Sequence, residues 1–251
     1  MKQPPLVLTS RWPATLLLLA VCASFVLREA FASDDRNPHP TSHETRSIEG
    51  WTVHVDARLL AGDHQPLGER SLKLLAGKLF EVSLVVPASR LEKLREAPIW
   101  LDLSHGRLES MQYHPSVDWL TAHGYSADLA RCVHIPKAAL FADSEHNRTQ
   151  PWAVLHELAH AYHDRELGFD DARIVAAYDR YRTADRGKAA LHVDGDPREH
   201  YARTNPMEFF AEFSEAYFGT NDFYPFVRGE LRQDSPEIFE LLEEVWGARG
   251  D

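Results

Sequence analysis

Pro151-Trp-Ala-Val-Leu-His156-Glu157-Leu-Ala-His160-Ala-Tyr-His-Asp164 is the stretch on which the rest of the chain turns. It holds His-Glu-x-x-His inside a segment of helical character. Pro151 suits a first helical position, and no further Pro or Gly intervenes before Gly168. On a helix His156 and His160 share one face, with Cβ atoms roughly 5–6 Å apart. Both imidazoles can then reach one ion at about 2.0–2.1 Å. Glu157 is rotated about 100° from His156. It sits beside the ion, where it can take a proton from a water that the ion activates. Trp152, Leu155, Leu158, Ala159 and Tyr162 supply an apolar face that would bury the helix and leave the histidines facing a cleft. The same pentapeptide arises by chance on ordinary amphipathic helices, so the surroundings must carry part of the weight. The expectation is a zinc-dependent hydrolase with one Zn2+ per chain.

The 251 residues allow one large domain or two small ones. Residues 1–32 have the form of a secretory signal peptide: a basic start (Lys2, Arg11), an apolar run from Ala14 to Leu27, and Ala30-Phe31-Ala32 as a small-x-small cleavage site. The apolar run is short for a membrane span, though a single N-terminal anchor is the other use of such a segment. The expected location is secreted or periplasmic, without stable membrane association once the signal is removed. Removal takes the formal charge from −11 to −13. An acidic mature chain argues against nucleic acid or an anionic membrane as partner and favours a neutral or basic peptide or protein substrate. Cys132 would be the only mature cysteine, which excludes an internal disulfide; its apolar neighbours make it a core residue.

Residues 33–46 are polar, with two prolines and no periodicity, and are expected to be a disordered linker. Residues 47–251 then form the catalytic domain, with a sheet part at 47–145 and a helical part carrying the metal site at 146–251. Trp51–Asp56 alternates as a half-buried strand. Leu72, Leu75, Leu79, Val82 and Val86 predict a helix over Glu69–Val86, ended by Pro87. A shorter helix is expected over Ser89–Glu96. Pro98–Leu103, Ser110–His114 and Cys132–Ile135 predict three more strands. The segment 131–136 is the expected sheet edge for substrate pairing by strand addition. Asn147-Arg148-Thr149 is a glycosylation sequon, relevant only in a eukaryotic secretory pathway. Gly168 suits a helix end and Asp170 an N-cap, with a helix over Asp171–Tyr181.

A catalytic zinc keeps three protein ligands and one open position, so the third ligand must lie downstream. Asn205 is a natural N-cap and Pro206 a natural first helical residue. Glu208, Glu212 and Glu215 then fall on one stripe among Phe209, Phe210, Phe213, Tyr217 and Phe218. Acids so enclosed by apolar residues are costly to bury without a cationic partner. Spacing alone leaves Glu208 and Glu212 equal as third ligand, with solvated carboxylates as a third option. Glu208 could equally close a capping box onto Asn205.

Tyr201-Ala-Arg-Thr-Asn-Pro-Met-Glu208-Phe-Phe-Ala-Glu212-Phe resembles the second motif of the catalytic domain of anthrax lethal factor and its relatives. That peptidase family includes secreted endopeptidases that cut between prolines. Its pattern is a His-Glu-x-x-His helix, a tyrosine, and seven residues later the zinc-binding glutamate of a Glu-Phe-Phe-Ala-Glu run. Tyr201 and Glu208 have that separation. The resemblance covers residues 150–167 and 199–218 and weakens upstream. It implies an α+β, zincin-like fold: a small N-terminal sheet packed by a long helix, then a helical C-terminal half. It implies His156, His160 and Glu208 as metal ligands, Glu157 as general base, Tyr201 as the phenol facing the reacting carbonyl, and Glu212 as support behind the ligands. The family commonly has glycine before the second histidine, where this chain has Ala159; both are small. The family's toxin modules for cell binding and entry have no counterpart here.

Two other classes fit the same residues. One is a secreted interaction module with a structural zinc, which an intact Glu157 argues against, since a closed site needs no base. The other is a hydrolase of a non-peptide amide such as a cell-wall crosslink. His163 is expected to face solvent, and Asp164 to hydrogen-bond a ligand histidine or remain a surface charge.

Overall fold

The computed structural model describes residues 37–247; the signal segment 1–32 and the start of the linker lie outside them. The described chain begins with a hairpin. Strands β1 (His43–Ile48) and β2 (Trp51–Asp56) pair antiparallel from His43↔Asp56 to Ile48↔Trp51. Glu49 and Gly50 join them with φ of 51° and 92°, the left-handed pair that a two-residue hairpin requires. The linker expectation therefore fails at residues 43–46. These residues are polar because β1 is a largely exposed edge strand, and its order comes from the ladder with β2 rather than from any apolar alternation of its own.

Helix α1 (Gln65–Val85) follows, with Pro66 in its first turn and Leu75, Leu79 and Val82 buried. Val86 and Pro87 end it, and α2 (Ala88–Arg95) comes next. Then come β3 (Ile99–Leu101), β4 (Gln112–Tyr113), α3 (Val117–Ala122) and β5 (Val133–Ile135). The sheet order is β1-β2-β3-β5-β4; β2, β3 and β5 run parallel, and the two edges are antiparallel. This overturns the expected edge at residues 131–136. β5 is an inner strand, and β4 is the edge. Val133 and Ile135 are almost fully buried, as an inner parallel strand requires.

Helices α4 (Ala138–Phe141) and α5 (Ser144–Thr149) lead to the His-Glu-x-x-His helix α6 (Ala153–Tyr162), which starts two residues after Pro151. A π-turn over His163–Leu167 closes α6, and Gly168 leaves it at φ 83°. Asp171, not Asp170, caps α7 (Ala172–Thr183), accepting the amides of Arg173 and Ile174. A small hairpin of β6 (Ala190–Leu191) and β7 (Pro197–Arg198) precedes α8 (Pro206–Phe218), α9 (Arg228–Asp234) and α10 (Pro236–Trp246).

One apolar core runs through the sheet and helical parts alike. Val53, Val55, Ile99, Leu101, Val133 and Ile135 project from one face of the sheet, and α1 and α6 pack there. α8 packs on α6 and is buried from Phe209 to Phe218. Trp246 of α10 seals this stack, its Nε1 donating to Ser214 Oγ at 3.0 Å.

His163 is not at the surface. The ring is fully buried between Phe169 and Phe210, and neither nitrogen finds a partner among the described residues. Burial pulls its pKa down to about 4. The folded ring thus stays neutral where the unfolded one, at its ordinary 6.5, takes a proton. Stability is therefore lost as pH falls from about 6.5 towards 4. His163→Leu should stabilise the chain by about 1–3 kcal/mol at pH 7 by removing two unpaired polar atoms. It should also flatten that acid slope in part, with His114 and His200, pulled down to about 3 by burial, keeping the remainder. Urea unfolding at several pH values checks both.

Candidate metal centre

α6 owes its orientation to burial on two sides. Leu155, Leu158, Ala159, Ala161 and Tyr162 face the sheet and α8. The remaining stripe, His156, Glu157 and His160, opens onto a cleft of about 530 Å³ that Tyr201 and Glu208 also line. α8 begins as expected: Asn205 Oδ1 accepts the amides of Met207 and Glu208, each at 2.9 Å. The capping box does not form. The Glu208 side chain instead reaches across to α6, with Oε2 at 3.1 Å from His156 Nε2 and 3.2 Å from His160 Nε2.

These three groups can hold a metal ion. His156 Nδ1 lies 2.7 Å from Glu215 Oε1, so Nδ1 carries a proton and donates it. Nε2 faces the Glu208 carboxylate, and that contact calls for a positive charge: a second proton on the ring, which the two glutamates favour, or a metal ion between the two atoms. Bonds of about 2.0–2.1 Å to a tetrahedral ion separate neighbouring ligand atoms by about 3.3–3.4 Å, close to the spacing found. The field has the same sense. Burial opposes charge on His156, but Glu208 and Glu215 raise its pKa well above the usual range. Burial works to raise Glu208, yet the two imidazoles hold it below the usual carboxylate range.

Glu157 lies beside this group. Its Oε2 accepts the backbone N–H of Tyr113 at 2.7 Å, so the edge strand β4 orients it. Burial lifts its pKa against the pull of His156 and His160. Tyr201, in a one-turn 3-10 segment before α8, is half-exposed in the same cleft. All five expected site residues, His156, Glu157, His160, Tyr201 and Glu208, thus meet in one place.

Four neighbours differ from expectation or were missed. Glu215, rather than Glu212, makes the close contact behind His156; Glu212 Oε1 is 3.7 Å away. Glu212 instead accepts the Asn221 amide at 3.1 Å, and burial raises its pKa well above the usual range. The stripe of three acids was visible in the sequence, but not which of them meets an imidazole. Asp164 does not touch a ligand histidine. It accepts the Tyr113 hydroxyl at 2.6 Å and Arg131 Nε at 3.2 Å. Tyr113, absent from the expected site, is thereby fixed at both its hydroxyl and its amide. Cys132 is a buried core residue as expected, its thiol pushed up to about 11 by burial.

Comparison with protein-family models, curated proteins and solved structures finds no match to this chain.

The three glutamates should separate by metal affinity, with zinc as the probe ion and calorimetry as the readout. Glu208→Gln should lose tight binding. Glu215→Gln should weaken it about 10–100-fold, as loss of a carboxylate behind a ligand imidazole does. Glu212→Gln alters a carboxyl that stands further from His156 Nδ1 and pairs with Asn221, and should change little.

Proposed function

We propose that this chain is an exported zinc-dependent endopeptidase with a zincin-like fold, related to the lethal factor-like peptidases. The observation that carries the proposal is the closure of Glu208 on both imidazoles of the His-Glu-x-x-His helix, with Glu157 beside them and a cleft in front. His156, His160 and Glu208 would hold the ion. A zinc ion there supplies an acidified water and an electrophile for the substrate carbonyl. The open cleft suits a catalytic site, since a structural site would close all positions.

The chain's own groups divide the remaining work. Glu157 takes the proton from the attacking water and passes it to the leaving amine. Its raised pKa brings it closer to neutral pH, where proton transfer in both directions is most effective. The Tyr113 amide keeps the carboxylate aimed at the cleft. The Tyr201 hydroxyl donates to the oxyanion that forms on the substrate carbonyl. β4 borders the cleft, and the alternation of backbone groups turns those of Met111 and the Tyr113 carbonyl away from β5, the Tyr113 N–H being taken by Glu157. That edge can pair with an extended peptide. Asp222 and the glutamates of α8 give one side of the cleft an acidic bias, in keeping with a neutral or basic substrate, while Glu109 is paired with Lys137 on the other.

Incubating the wild type and Glu157→Ala with a diverse peptide library tests the proposal, with bound zinc measured in parallel. Cleavage by the wild type alone, with zinc in both, is expected. Bound zinc without cleavage by either protein would instead point to an interaction module or a non-peptide amide. Tyr201→Phe should retain zinc and lose about 10²–10³ in rate; unchanged kinetics would remove the phenol from the mechanism.

A further inference from the structure

The sheet has a second face, opposite the apolar core, and it is built of imidazoles. The register His54↔Trp100↔His134↔Gln112 runs across it, with Asp102 one step beyond β3 on the same side. Asp102 is fully buried. Its Oδ2 lies 2.6 Å from His105 Nδ1 and 2.9 Å from His134 Nε2, and its Oδ1 lies 2.7 Å from His43 Nε2. Behind His134, His114 Nε2 lies 3.1 Å from Nδ1. Asp102, His105 and His134 are all buried, and their ligating atoms converge.

We propose that Asp102, His105 and His134 form a second metal site that takes a zinc-class divalent ion. Two imidazole nitrogens and one carboxylate oxygen are the borderline donors that zinc prefers, whereas calcium and magnesium call for an all-oxygen shell. Proton bookkeeping permits it. The His134–His114 contact can run in either sense. When His134 Nδ1 donates to His114, Nε2 is left with a lone pair towards Asp102, which is the form a metal ligand needs. A shift of the His105 proton to Nε2 frees Nδ1 in the same way, and no proton leaves the site. His43, on the other carboxylate oxygen, orients Asp102 from behind. The oxygen must retreat by about half an ångström to reach the ligand spacing of a tetrahedral ion, a motion that carboxylate rotation supplies.

The site also answers a packing problem. The connection from β3 to β5 crosses this face carrying α3, and its two fully buried leucines, Leu120 and Leu129, lie outside the main apolar core. β4 ties the middle of this connection to the sheet and core through Tyr113, but the α3 part adds little to that core. An ion shared by Asp102 and His105 at its start and His134 at its end would staple it to the sheet. This site stands apart from the α6–α8 centre and does not depend on the peptidase reading.

The test counts zinc per full chain by mass spectrometry after loading and exhaustive dialysis. The wild type should hold two ions. His156→Gln/Glu208→Gln, which disables the first centre, should hold one, and adding Asp102→Asn/His134→Gln should leave none. Cobalt bound to His156→Gln/Glu208→Gln should show the visible bands of a tetrahedral nitrogen-oxygen site. A folded His156→Gln/Glu208→Gln chain that binds no zinc would overturn the proposal and leave a purely hydrogen-bonded cluster. So would a residual zinc that survives removal of Asp102 and His134. If the quadruple variant fails to fold, the count and the cobalt spectrum of the double variant decide.

Discussion

Glu208 joins two helices that lie about fifty residues apart in the chain, and it does so through atoms that repel unless a positive charge lies among them. Its Oε2 faces two imidazole nitrogens at 3.1 and 3.2 Å. The chain holds this arrangement by burying everything around it. α6 is clamped between the sheet and α8, and α8 is apolar on all sides except its acidic stripe. The cost of crowding carboxylates and imidazoles is offset by the burial of Phe209, Phe210, Phe213 and Trp246 around them.

A second constraint acts on the base. Glu157 could swing about its side-chain torsions, yet the Tyr113 amide holds one oxygen. Tyr113 is itself held, because its hydroxyl reaches Asp164 at the end of α6. The edge strand and α6 are therefore tied at two points, one at Glu157 and one about two turns further on, at Asp164. A two-residue strand would be a weak element by itself; these contacts give it a fixed position over the cleft.

The parts of this architecture legible in the sequence were those with local signals. Asn205-Pro206 marked the start of α8, the Leu75–Leu79–Val82 periodicity marked α1, and His156-Glu157-x-x-His160 marked the candidate metal centre. What was illegible depended on distant partners or broken periodicity. β1 has no apolar alternation because its order comes from β2. β5 follows β4 in the chain but inserts between β3 and β4, a choice made by parallel pairing of buried runs. His163 and Asp164 were misplaced because helical spacing gives a face but not what covers it. His163 keeps α geometry after His160, its amide reaching the Ala159 and His160 carbonyls, but Phe169 and Phe210 close over the ring, while Asp164 meets Tyr113 of β4. Glu215 lay on the anticipated stripe, but only the crossing of α6 and α8 decides that it, not Glu212, meets His156 Nδ1.

The two faces of the sheet show how one chain uses burial for opposite ends. On the inner face, alternation delivers valine, leucine and isoleucine to α1 and α6, and the stability there is that of an ordinary core. On the outer face the same alternation delivers His54, Trp100, Asp102 and His134, and a covering segment shuts several of them away from water. Burying a charged carboxylate is expensive unless every lone pair is answered. Asp102 is answered by three imidazoles at once, and its pKa is held far below the usual range by them despite its burial. A sheet that needed only to carry α6 would cover that face with leucine. The chain instead places three nitrogens and a carboxylate where a hydrophobic residue would cost less. Such a departure from the cheapest packing is what a bound ion or a specific polar register would select.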